Sequence, residues 1–191
     1  MNKKRFSKNK KYAGFSYAES ILAVFIVSFE MLVVASLMSS SLKESMDSRN
    51  QIIGVLLSQE GIELVRNLRD NNWAKGDDTF TGFPANTSNI RRIDIDSPNA
   101  NGFGTYVLRS NNSTKAYKHS TTNSTATKFR RRIIITYYPS AAGNTTATSA
   151  TIISAVTWNN VDPPSNPSAS NCNSSAKCAY TTTTLTRWGG M

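Results

Sequence analysis

The sequence predicts an α+β protein: a long N-terminal helix whose second half packs against a C-terminal antiparallel β-sheet. Three observations predict it. Residues 15–38 are an unbroken apolar run. Residues 39–73 stay free of proline and carry apolar side chains at helical spacing. From residue 74 onward, β-forming runs alternate with clusters of Gly, Asn and Pro. The chain therefore divides into a basic segment at 1–14, an all-round apolar half of the helix at 15–38, an amphipathic half at 39–73 and a β-rich head at 74–191.

The basic segment holds Lys3, Lys4, Arg5, Lys8, Lys10 and Lys11 with no acid among them. The formal net charge is +10, and without these six the remaining 16 basic residues face 12 acidic ones, or +4. The high net charge thus belongs largely to one end and does not describe a nucleic-acid-binding surface. Cations directly before an apolar run set membrane orientation, with the basic flank cytoplasmic and the bulk of the chain outside.

Residues 15–38 contain no Lys, Arg, Pro or Gly across 24 positions. As a helix they rise about 36 Å, enough to cross the hydrocarbon core of a bilayer. An ordinary secretory signal, cut near Val33, Val34 and Ala35, is one reading of the run. A plain signal anchor is another. Neither accounts for two carboxylates, Glu19 and Glu30, inside the stretch.

The junction reads KKYAG followed by FSYAE, placing Gly14 and Phe15 at the boundary and Glu19 five residues into the apolar run. This resembles the class III signal of type IV pilins and type II secretion pseudopilins, with Tyr17 and Ala18 standing where bulky aliphatics are commoner. The resemblance implies that a prepilin peptidase cuts between Gly14 and Phe15 and that Phe15 becomes N-methylated. It further implies that Glu19 pairs with the N-terminal amine of a neighbouring subunit. The physics agrees: an acid at the centre of a membrane helix costs about 2.5–3.5 kcal/mol on insertion scales, less near an end, so it calls for a partner. The stretch SQEGIELVRNLRDNNW and the absence of proline from the apolar half resemble minor pilins and pseudopilins more than major pilins.

Glu30 follows Glu19 by 11 positions. At about 100° per residue the two differ by only about 20° around a helix and about 16 Å along it. Glu30 is expected either to pair with a basic group on another subunit or to sit as a neutral acid within a helix bundle.

In the second half, Leu42, Met46, Ile53, Leu57, Leu64 and Leu68 form an apolar stripe. Glu63 with Arg66, and Arg66 with Asp70, are spaced as surface pairs. Asn71 and Asn72 are expected to stop a helix that runs about 85 Å from Phe15. Gly54 and Gly61 share a face and serve either close packing or local melting.

In the head, strands are expected over Arg91–Ile95, Thr105–Arg109, Phe129–Tyr138, Thr151–Trp158 and Ala179–Trp188. Alternation puts Phe129, Arg131, Ile133, Ile135 and Tyr137 on one face and Arg130, Arg132, Ile134, Thr136 and Tyr138 on the other. The pieces AVTW and TTLTRW resemble strands of the same pilin-like group. Cys172 and Cys178, a lone close pair in an exported chain, read as a disulfide worth about 2 kcal/mol in loop closure, the alternative being two free thiols.

Catalytic chemistry has no residues to carry it. The lone histidine, His119, lies in a Ser/Thr/Asn-rich stretch, and no P-loop, GxSxG or Cys/His metal spacing occurs. No cofactor or metal is expected, and Asp77, Asp78, Asp94 and Asp96 lack an EF-hand pattern. Asn86, Asn111, Asn112, Asn123, Asn144 and Asn173 stand in N-x-S/T triplets, which arise readily in so polar a chain. Arg91, Arg92, Arg130, Arg131 and Arg132 could touch DNA phosphates, although alternation thins the patch. The expected function is a structural one: a minor pilin or pseudopilin, with prepilin peptidase, fellow subunits and the inner membrane as partners. The alternative is a non-polymerising membrane-anchored adhesin or DNA-uptake receptor.

Overall fold

The computed structural model describes residues 16–84, 89–91, 93, 106–139 and 143–187. Gly14, Phe15, Asn86, Arg92, Asp94, Ile95, Asp96, Thr105 and Trp188, singled out above, lie outside the described residues. The fold is the expected α+β arrangement. Helix α1 spans Tyr17–Lys75, and six strands follow: β1 Asn89–Arg91, β2 Val107–Asn111, β3 Tyr117–Lys118, β4 Ser124–Tyr138, β5 Ser149–Thr157 and β6 Cys178–Thr186. Two compact units divide the chain, Met1–Met46 and Asp47–Met191, and α1 runs through both.

The strands form one antiparallel sheet in the order β3-β2-β4-β5-β6. Strand β4 is its spine. One edge of β4 pairs with β5 from Arg130 to Tyr138, while the other is shared, β2 taking the N-terminal part and β1 pairing with Ile133–Ile135. The expected strand at Phe129–Tyr138 is therefore longer than its apolar core suggested. Five residues, Ser124–Lys128, extend it where polar Thr and Ser meet β2.

The helix does not stop at Asn71 or Asn72. It continues to Lys75 and ends at Gly76, whose φ of 76° is the left-handed conformation that glycine adopts without Cβ strain. The Asp77 N–H reaches the Asn72 carbonyl at 2.9 Å and the Gly76 N–H reaches the Trp73 carbonyl at 3.0 Å. These are the two bonds of a Schellman cap, so Gly76 carries the stop signal. Asn72 has another task. It is buried, and its side-chain amide donates to the Thr79 and Thr81 carbonyls at 3.2 and 2.7 Å, tying the following loop to the helix.

The buried face of α1 runs through Gly54, Leu57, Ser58, Gly61, Ile62, Val65, Leu68 and Asn72. Of the expected stripe, Leu57 and Leu68 are buried and Ile53 and Leu64 partly so, whereas Leu42 and Met46 are exposed. The stripe thus belongs to the head only from Ile53 onward. Glu63 pairs with Arg66 as expected, but Asp70 takes Arg69 at 2.7 Å as its partner in place of Arg66. The two glycines serve close packing. A Cβ on Gly54 would sit 2.8 Å from the Trp158 ring, and one on Gly61 would strike Ser154 Oγ.

Candidate functional site

Every residue from 16 to 46 is exposed, including Phe25, Phe29, Met31, Leu32 and Leu37. A helix of this length and composition can cross a membrane, and it is the one such helix among the described residues. Its backbone polar groups are closed by helical hydrogen bonds, the condition for entering hydrocarbon. Several of its serines close themselves as well. Ser28 donates to the Val24 carbonyl at 2.7 Å, Ser39 to Ala35 at 3.0 Å and Ser40 to Leu37 at 2.9 Å.

That leaves two charged side chains between Ser16 and Leu42, Glu19 and Glu30. Both lie in unbroken α-helix, so their spacing of 11 residues sets them on one face, about 16 Å apart along the axis. Glu19 occupies the first turn, where the positive end of the helix dipole favours a carboxylate. Among the described residues neither has a hydrogen-bonding or ion-pairing partner.

The head buries a polar layer that the sequence reading missed. Arg131 is fully buried on the helix-facing side of β4, as alternation predicts. One guanidinium nitrogen donates to Glu60 Oε1 at 3.0 Å and to the Leu57 carbonyl at 3.3 Å, while the other donates to the Ile93 carbonyl at 3.1 Å. Beside it, the Ser58 hydroxyl lies 2.5 Å from Thr181 Oγ1 and 3.1 Å from the Ser154 carbonyl. This layer separates two apolar clusters. Ile62, Val65 and Leu68 meet Ile133, Ile135 and Ile152 on one side, and Leu57 meets Phe129, Val156 and Trp158 on the other. The signal was an arginine at an apolar-face position of a strand, which requires a carboxylate on whatever packs over it. Glu60, one turn from the apolar stripe, met that requirement.

Three of the arginines considered for DNA are engaged within the head. Arg130 pairs with Asp162 at 2.7 Å, Arg131 with Glu60, and Arg132 stacks 4.3 Å above the Tyr106 ring. His119 is buried. Asp78 accepts the Phe80 N–H at 3.0 Å and pairs with Arg187, and the described residues contain no cluster fit to hold a metal. Cys172 and Cys178 form a disulfide. The residue enclosed beside it, Lys177, ion-pairs with Asp47 on α1, and its carbonyl accepts the Trp158 N–H at 3.1 Å. The disulfide loop thus clamps the first turn of the head's helix.

Compared with protein-family models, curated proteins and solved structures, the chain matches none.

Proposed function

We propose that this chain is a subunit of the type IV pilin or pseudopilin class, held in a membrane by the first half of α1 and built into a filament through it. One observation carries the reading. An unbroken, exposed apolar helix holds its only two charges, Glu19 and Glu30, in register on one face. A simple anchor gains nothing from carboxylates in hydrocarbon. An assembling helix does, because cutting between Gly14 and Phe15 creates a positive amine that a staggered neighbour presents to Glu19. In a low-dielectric bundle that pairing is selective, since an unpaired charge there is strongly penalised. Glu30 selects a second cationic contact in the same way, which suits a minor subunit placed among unlike neighbours. Before assembly the N-terminus is cytoplasmic and the head lies outside. The DNA-receptor reading gains no support from arginines already engaged by Asp162, Glu60 and Tyr106.

The test is the mature N-terminus, determined by intact mass and peptide sequencing from native membranes. The expected chain begins at N-methylated Phe15. A chain beginning near Ser36 makes the protein an ordinary secreted domain, and an intact Met1 makes it a plain anchor; either sinks the filament reading.

A further inference from the structure

Most of the head's cations are matched. Arg66, Arg69, Arg130, Arg131, Lys177 and Arg187 each hold a carboxylate. Arg109, Lys115, Lys118 and Lys128 hold none among the described residues. These four belong to one stretch, residues 107–128, that contains no Asp or Glu. Arg109 and Lys118 stand directly opposite each other on β2 and β3. Like charges so placed repel, and no acid offsets the cost.

The stretch forms an arm at one end of the sheet. Phe129 packs with Leu57 and Trp158, and Ile53 lies against them. Ile133 and Ile135 pack with Ile62, Val65 and Leu68. Strand β4 therefore runs in the same direction as the head's helix. Its first five residues extend about 17 Å past Phe129 toward the N-terminal end of that helix. Asp47, where the head begins, lies only six residues or about 9 Å before Ile53. Strand β2 follows the arm outward, with Asn111 opposite Ser124, and exposed Lys115 sits in the turn beyond. The tip is held by its own bonds. The Asn112 N–H donates to the Asn123 carbonyl at 3.0 Å, and the Asn111 N–H to the Ala116 carbonyl at 2.9 Å.

We propose that this arm binds anionic lipid headgroups at the surface of the membrane that holds the chain's own helix. The inference rests on the membrane-anchored state described above and not on filament assembly. Place and charge together select the occupant. The apolar run ends at Met38, and only residues 39–46, about 12 Å of helix, separate it from Asp47. The bilayer surface thus lies on the side to which the arm points. Near an anionic surface each Lys or Arg strengthens binding about fivefold.

The test uses the full chain reconstituted in vesicles of phosphatidylcholine, alone or mixed with phosphatidylglycerol, with a quencher on the lipid headgroups. The two native cysteines are joined, so one introduced cysteine takes a fluorophore. Thr121→Cys marks the arm, and Thr136→Cys, exposed at the other end of β4, marks the far part of the head. Quenching is expected at 121 in the mixed vesicles only, and at 136 in neither. Lys115→Gln, Lys118→Gln and Lys128→Gln together are expected to weaken the contact about 100-fold and remove the quenching. Arginine at the same three positions should retain it, and about 1 M salt should abolish it by screening. Equal quenching in both vesicles or at both labels, quenching that survives the Gln variant, or an unquenched 121 label in mixed vesicles overturns the proposal. A 121 label indifferent to phosphatidylglycerol but shifted by a single-stranded oligonucleotide overturns it in favour of a nucleic acid. Flotation with phosphatidylcholine vesicles reports the anchor separately. A chain that floats and fails the quenching test loses this inference alone, whereas one that does not float loses the anchored reading as well.

Discussion

The two halves of α1 place polar groups in opposite ways. Residues 16–42 surround two carboxylates, Glu19 and Glu30, with exposed apolar side chains, and neither carboxylate has a partner among the described residues. Residues 47–75 bury a single face, and the acid at that face's border, Glu60, is matched to a buried arginine on the sheet. One half leaves its ionic requirement open, and the other meets it internally. The same backbone conformation therefore serves two purposes. An unmet charge in an apolar setting specifies a partner from outside, whereas a met one fixes how helix and sheet lie on each other.

Breaking the met charge should have the largest effect. Glu60→Ala leaves the buried Arg131 with carbonyl acceptors only. Stripping the partner from a fully buried ion costs about 3–5 kcal/mol. Glu60 is one-third exposed (33%), and the discounted expectation is about 2–3 kcal/mol. Chemical denaturation of the full chain in detergent measures it, and an unchanged midpoint would show that Arg131 needs no carboxylate.

Gly61→Ala tests the close approach of helix and sheet. Relief of the glycine's helix penalty returns about 1 kcal/mol, against an overpacking cost of about 1–3 kcal/mol from the clash with Ser154. The net expected loss is about 0–2 kcal/mol. Adding Ser154→Ala should recover most of that loss, because the hydroxyl is the nearest obstacle. A double variant no more stable than Gly61→Ala alone would place the strain elsewhere.

Replacing Cys172 and Cys178 together by serine should lower stability by about 2 kcal/mol through loop-closure entropy. Hydrogen exchange should quicken first at residues 47–57 of α1, where the clamped Lys177 meets Asp47. Uniform quickening across the head would argue against a local clamp.

The smallest effect on the head sharpens the contrast. Glu19→Gln and Glu30→Gln should leave its unfolding within about 0.5 kcal/mol of the parent, as surface changes do. Under the proposed function, Glu19→Gln is nonetheless expected to abolish filament incorporation. Normal assembly of Glu30→Gln would assign Glu30 no pairing role.

Periodicity exposed much of this architecture. Alternation along β4 assigned Arg131 to the apolar face, and an uninterrupted apolar run announced the first half of α1. What escaped was pairwise chemistry between distant segments. Nothing local links Glu60 to Arg131, 71 positions apart, or Lys177 to Asp47, 130 apart. The stop at Gly76 was legible but obscured by Asn71 and Asn72, which have the composition of a terminus while Asn72 serves as a buried tether. Leu42 and Met46 fit a stripe in sequence, but the apolar surface they continue lies on residues 16–46, outside the head core.

The serines of the apolar half have one more consequence. With Ser28, Ser39 and Ser40 turned onto their own helix, a change of surroundings from lipid tails to other apolar helices rewrites none of their hydrogen bonds. Such a rod is chemically indifferent to its neighbours along most of its length. Under the proposed assembly, its choice between the two environments is left to shape and to a pair of acids.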